Sequence, residues 1–236
     1  MNCVILQPSY IPWRGYFDQI NRADVFIFYD DVQYDKHGWR NRNQIKTDHG
    51  RQWLTIPVHS GGVVDQNRPI REVEIDWSKP WNKTHWKALT IAYGRAPFFA
   101  QYKALLEPFY QRQDVFLADL TIDLTIALAR ELGISQTKFM RSSEITGIDG
   151  QKTDRLIQIL AKVGAAHYIS GPSARDYVEQ DKFDAAGITL EYISYDYPEY
   201  PQLYPPFEPQ VSVLDLLFNT GDRALDYIVG TTGQEA

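Results

Sequence analysis

The chain holds a single cysteine, Cys3, and two methionines among 236 residues. One thiol excludes an intrachain disulfide and any multi-cysteine metal site. Because it lies in the apolar run Cys3-Val4-Ile5-Leu6, Cys3 is expected to act as a small buried hydrophobe. Positive charge is also in deficit: 24 Lys and Arg against 30 Asp and Glu leave a net charge of -6. That balance argues against a nucleic acid polymer as partner, since such binding depends on cations neutralising phosphates. No apolar stretch approaches the roughly 18 residues of a membrane helix, so no membrane insertion is expected. The start, MNCVILQPSY, lacks a charged leader and its apolar run is too short for a signal peptide, which predicts a soluble, cytoplasmic protein. Walker A, G-x-G-x-x-G and G-x-S-x-G patterns are missing. The scattered carboxylates show no ligand spacing, so no structural metal is expected.

What the chain does have is aromatic surface. Aromatic residues make up 14% of it, with six Trp and fifteen Tyr. Flat amphipathic rings suit a ligand cleft, and they suit a Tyr-rich core equally well. They concentrate early. Residues 7–17 hold two prolines, one glycine and four aromatics between the apolar run of residues 3–6 and a helix-like segment. A second apolar run, residues 25–29, ends in Asp30-Asp31. Strand, long loop, helix, strand is how α/β proteins build ligand sites at the carboxyl edge of a sheet. An ordinary connection there needs only about two to six residues.

The segments QPSYIPWRGYFDQINRADVFIFYDDVQY, WRNRNQIKT, RQWLTIPV, YISGPSARDY and SVLDLLFNTG follow in order over nearly the whole chain. Together they resemble the WbqC-like family. That resemblance implies a setting in bacterial surface-polysaccharide (O-antigen type) biosynthesis, and it includes the Asn41-Arg42 pair and His85.

The alternation of periodic segments predicts an α/β fold: a mostly parallel Rossmann-like sheet with flanking helices and an antiparallel β-hairpin excursion. One domain is expected over 1–236, with the excursion at 39–76. Strands are expected at 2–6, 25–29, 39–47, 51–58, 70–75, 136–142, 167–170 and 188–195. Helices are expected at 81–93 with Ser78 as cap, 97–112, 115–132, 152–163 and, capped by Ser212, 213–218. A helical turn is expected at 174–179. Residues 60–69 read as a mobile loop, and the five prolines of 197–209 as a segment wrapping the surface.

Loops 7–16, 30–43, 141–153 and 170–175 each follow an apolar strand, so a parallel sheet would gather them at one edge. Gly15 and Arg14 sit at a helix start, where free N–H groups and a guanidinium favour an anion; an ordinary turn remains the alternative. Gln7, Tyr10, Trp13 and Tyr16 complete that loop. Ser170, Gly171 and Ser173 form a second turn of the same kind. In a strand, Arg40 and Arg42 would share one face as a diphosphate clamp, with Asn41 and Asn43 opposite to meet sugar hydroxyls, unless this is a solvated hairpin. Asp30 and Asp31 would suit Mg²⁺ or a ribose hydroxyl. Asp215 and Asp226 read as helix-surface groups.

Trp13-Arg14-Gly15-Tyr16 loosely resembles the H-x-G-H motif of nucleotidyltransferases, with both histidines replaced by aromatics. Neither ring can carry the charge those histidines supply. His85 and His37 are the candidate general bases, each with a structural role as the alternative. The expected ligand is a nucleotide-linked sugar, with an acyl-CoA or ATP as candidate cosubstrate and a homo-oligomer left open. Three functions fit these residues: acyl or aminoacyl transfer to an amino sugar, an ATP-dependent transferase or ligase, and non-catalytic sugar-nucleotide binding.

Overall fold

A computed structural model describes residues 1–36, 38–59, 67–176 and 178–229. The first apolar run becomes β1 (Asn2–Leu6), the segment after the aromatic loop becomes α1 (Arg14–Arg22), and the second run becomes β2 (Val25–Phe28). β2 lies parallel to β1, pairing from Cys3 with Val25 to Leu6 with Phe28. A two-stranded antiparallel hairpin follows, β3 (Arg42–Thr47) and β4 (Gly50–Thr55), outside the main sheet. Gly50 adopts a φ of 99°, which a side chain would resist, and so closes its turn.

Three helices come next: α2 (Trp81–Tyr93), α3 (Phe99–Gln111) and α4 (Leu117–Glu131). The chain then returns to the sheet through β5 (Lys138–Arg141), α5 (Lys152–Val163), β6 (His167–Ser170), α6 (Gln180–Ala185) and β7 (Thr189–Tyr192). It ends in α7 (Val213–Thr220) and a 3₁₀ segment over Gly221–Tyr227.

The main sheet has the order β5-β2-β1-β6-β7, and every neighbouring pair is parallel. The chain lays β2 and β5 on one side of β1, then crosses back to lay β6 and β7 on the other. The reversal between β1 and β6 is a topological switch point, where loops leave in opposite directions and open a crevice beyond the carboxyl ends. Successive side chains on a strand point to opposite faces, so both faces here carry core. Phe26 and Phe28 pack with α1, α4 and α7 on one face. Cys3, Ile5, Val25 and Ile27 pack with Leu156, Ile159 and Phe183 on the other. Cys3 is fully buried, and its thiol is pushed up to about 12 by that burial, so it is inert.

Four local expectations change. Residues 70–75 are not a strand: Ile70–Glu72 forms a 3₁₀ turn, held to the loop after β2 by Ile70 N–H to Val32 O and Arg71 N–H to Asp30 O. Ser78 does not cap α2; Pro80 holds that position and Ser78 donates to Asp76. The turn expected at 174–179 is a 3₁₀ segment at Pro172–Asp176, and α6 follows it separately. The proline segment is not merely a surface wrap, because Tyr200 is buried within it. The expected loop at 60–66 and His37 lie outside the described residues.

Candidate functional site at the switch point

A cavity of about 790 Å³ opens where β1 and β6 end. Its wall takes Gln7, Ser9, Pro12, Trp13 and Tyr16 from the loop after β1, and Tyr29, Val32, Trp39, Arg40 and Asn43 from the stretch after β2. Lys152 and Leu156 of α5, Tyr168 and Ser173 around β6, and Tyr195 after β7 complete most of it. Each of the four loops singled out in the sequence therefore supplies at least one wall residue.

Local bonding holds the first loop open. Ile11 has a φ of 37°, a left-handed conformation that a β-branched residue rarely adopts. Asn43 Nδ2 pins it by donating to Tyr10 O at 3.2 Å and Ile11 O at 2.8 Å. Tyr16 OH donates to Gln7 O at 3.1 Å. Lys152 also has a positive φ, 51°, at the first position of α5. Strain of this kind persists only where surrounding structure over-determines it, and it concentrates at ligand clamps.

The electrostatics have one sign. Arg40 and Lys152 line the cavity, and no carboxylate does so among the described residues. Among the described residues Arg40 makes one long contact, Nη1 to Pro8 O at 3.5 Å, and its Nε has no hydrogen-bond partner. Burial lowers its pKa, opposed by the charge of Asp35, yet a guanidinium stays protonated in proteins. A half-buried cation whose Nε lacks a partner favours an anionic ligand that completes it. Trp13 stands edge-on to Tyr195, with ring centroids 4.8 Å apart.

Of the residues singled out in the sequence, Gln7, Trp13, Tyr16, Arg40, Asn43 and Ser173 line the cavity. Others support it from behind. A Cβ on Gly15 would lie 2.4 Å from the Trp13 ring, so glycine there seats the indole and does not expose a helix start to an anion. A Cβ on Gly171 would lie 2.6 Å from Tyr195 OH, so glycine there seats the phenol. Ser170 is buried, with its Oγ 3.5 Å from Tyr168 OH. Tyr10 is buried between His85 and Tyr110, its hydroxyl 2.9 Å from His85 Nδ1 and 2.8 Å from Tyr110 OH.

The remaining residues lie elsewhere. Arg14 turns away from the cavity: Nη1 donates to Pro198 O at 2.7 Å and Tyr227 O at 3.3 Å, and the guanidinium rests 4.9 Å and 5.3 Å from the Tyr197 and Tyr200 rings. Arg42 lies 4.7 Å over the Trp53 ring, so it does not form one clamp with Arg40. Asn41 donates to Ile56 O at 2.7 Å, fastening the hairpin. Asp30 accepts from Ser143 N–H at 3.0 Å, Ser143 Oγ at 2.8 Å and Ser142 Oγ at 3.2 Å, which occupies the oxygens offered to Mg²⁺ or ribose. His85 is 4% exposed, and burial lowers its pKa to about 4; it is a neutral core imidazole outside the cavity wall. Asp215 is no surface group: it is buried, accepts from Tyr200 OH and Gln202 Nε2, and burial raises its pKa.

Lys152, Tyr29 and Tyr195 were not singled out. Lys152 carried a readable signal, as the first helical residue after a strand and a glycine loop. Tyr195 carried none, because its place depends on the crossover that lays β7 beyond β6.

Fold and cavity together define an open parallel α/β protein with a cation-lined switch-point site. The chain belongs to the WbqC-like protein family, whose model matches residues 7–227. It is 47% identical over 226 residues to the uncharacterized protein Rv1507c of Mycobacterium tuberculosis (strain ATCC 25618 / H37Rv), covering 95% of this chain and 96% of that one. No solved structure matches. No helix among the described residues is long and apolar enough to cross a membrane. No group of three or more His, Cys, Asp or Glu among them is placed to hold a metal ion.

Proposed function

We propose that the chain binds a nucleotide-linked amino sugar in the switch-point cavity and transfers an acyl or aminoacyl group to the sugar amine during bacterial surface-polysaccharide assembly. The observation that carries the binding half is the wall itself: two cations, aromatic faces and no carboxylate among the described residues. Arg40 and Lys152 would hold the phosphates, and Trp13 and Trp39 would stack on base or sugar. The volume suits a ligand of this size, since small-molecule sites run from about 300 to 1,000 Å³. The resemblance to the WbqC-like family implies the polysaccharide setting that this reading adopts, and sugar nucleotides and acyl thioesters belong to the cytoplasm.

In the transfer, the sugar nitrogen attacks the acyl carbon of a thioester. A C–N bond forms, the C–S bond breaks, the thiolate leaves, and a base takes the proton from nitrogen. His85 does not fit that base because it is buried in the core. His37 remains the candidate, on the sequence segment that leads into Trp39 and Arg40. An adenylyl-transfer reading has less support, since Arg14 is turned away from the cavity and Trp13 covers Gly15.

A second reading, sugar-nucleotide binding without chemistry, has one observation in its favour: the described wall contains neither histidine nor carboxylate. Incubation with a UDP-linked sugar that carries a free amine, together with acetyl-CoA, separates the two. The first reading expects thiol release that requires both substrates and is lost in His37→Ala, with sugar-nucleotide affinity retained. Saturable binding with no thiol released over a long incubation would overturn the transfer and leave the second reading.

A further inference from the structure

The exposed large aromatics among the described residues are Trp39 at 47%, Trp53 at 43% and Tyr195 at 38%. All three converge on the cavity mouth: Trp39 and Tyr195 are wall residues, and Trp53 leans on Trp39 with ring centroids 5.3 Å apart and planes 31° apart. Exposed rings gathered at one place mark an interaction site, whereas scattered ones need no explanation.

The hairpin fixes Trp53. Its register sets Trp53 opposite Gln44 and Thr55 opposite Arg42, so Gln44 and Arg42 share its face. The Arg42 guanidinium lies 4.7 Å over the indole and holds it. On the same face, two residues along β4, Arg51 pairs with Glu208 at 3.5 Å. The surface is therefore an indole pair framed by amide, guanidinium and carboxylate groups, not a broad apolar patch. Rings present flat faces to C–H groups and the polar frame meets hydroxyls, which is the chemistry of a pyranose.

We infer that the outer face of the β3–β4 hairpin, built on Trp39 and Trp53, is a saccharide subsite continuous with the cavity. It takes a second pyranose ring beyond the one inside. This deepens the proposed function and rests on it: the cavity holds the nucleotide-linked sugar, and the indole pair holds the glycan portion that extends from or meets it. Trp39 touches the ring, and Trp53 positions Trp39.

Calorimetry on the full chain with chitotriose and maltotriose, with and without UDP-N-acetylglucosamine, tests the assignment. The wild type is expected to bind at least one oligosaccharide. Trp53→Ala should weaken that binding by about fivefold or more, and Trp53→Phe should restore it to within about twofold, because an aromatic face is kept. UDP-N-acetylglucosamine affinity should fall by less than oligosaccharide affinity in Trp53→Ala, since Trp53 reaches the cavity only through Trp39. Failure of the wild type to bind either oligosaccharide, or equal binding in Trp53→Ala, overturns the subsite. Oligosaccharide binding that depends on Trp53, beside a cavity that binds no sugar nucleotide, would sustain the subsite and sink the cavity reading instead.

Discussion

Arg14 opens α1 after β1, Arg40 lies in the loop after the adjacent strand β2, and each leaves its Nε without a hydrogen-bond partner. Their surroundings nonetheless differ. Arg14 is enclosed: two carbonyls accept from its Nη1, and the rings of Tyr197, Tyr200 and Phe207 surround its guanidinium. Close by, Asp215, Gln202, Tyr200 and Lys46 form a connected buried network that ties the proline segment to α7 and β3. Arg40 has one long hydrogen bond among the described residues and a cavity beside it. The comparison teaches that charge and loop position do not by themselves make a site. A site is where the protein stops completing its own polar groups, and elsewhere the same residue types hold the fold.

Damage to the closed network should therefore appear in stability, and damage to the cavity in binding. The largest expected effect is from Asp215→Ala. Removing a buried acceptor strands Tyr200 and Gln202 and should cost about 3 to 4 kcal/mol in urea unfolding. A loss below about 1 kcal/mol would mean that the network is not closed.

Next comes pH. Burial holds His85 near 4, against an ordinary value of 6.5. Between those values the unfolded chain binds a proton that the native chain refuses, so stability falls as pH drops from 6.5 toward 4. The contribution is about 3 kcal/mol across that window. Asp215, whose pKa is raised by burial, acts with the opposite sign. The difference between wild type and His85→Gln isolates the histidine's share, and parallel pH profiles would contradict it.

Gly15→Ala sharpens the comparison from a position where the two regions meet. In an ordinary helix the change would stabilise by up to about 1 kcal/mol. Here the new methyl meets the Trp13 ring, and overpacking of this kind typically costs about 1 to 3 kcal/mol. A net loss near 1 kcal/mol is expected in thermal unfolding. It should come with weaker sugar-nucleotide binding, because the displaced indole is a cavity wall.

The sheet was legible because its signal is local. Apolar runs at residues 3–6 and 25–28 and a helix ended by Gly164, at a φ of 74°, need no tertiary information to be read. Clustering of the loops followed from strand polarity. Side-chain direction did not. Arg14 and His85 were attractive as residue types, but only the packing of the proline segment and of α2 decides that they face inward. Asp215 on the short helix α7 reads as a surface group until Tyr200 and Gln202 arrive from residues 197–209. Asn43 lies in β3 and Asn41 just before it, and their amides serve backbone carbonyls and not a ligand.

The measurement that tests the account most directly is the affinity of UDP-N-acetylglucosamine for Arg40→Gln and Arg14→Gln, taken by calorimetry below the unfolding midpoint of either variant. Arg40→Gln should lose about tenfold to a hundredfold in affinity with little change in stability, since a charge-assisted pair contributes about 1.5 to 3 kcal/mol. Arg14→Gln should lose stability and keep its affinity. Equal affinity in Arg40→Gln and wild type, or a loss confined to Arg14→Gln, would contradict the placement of the anion site at the switch point.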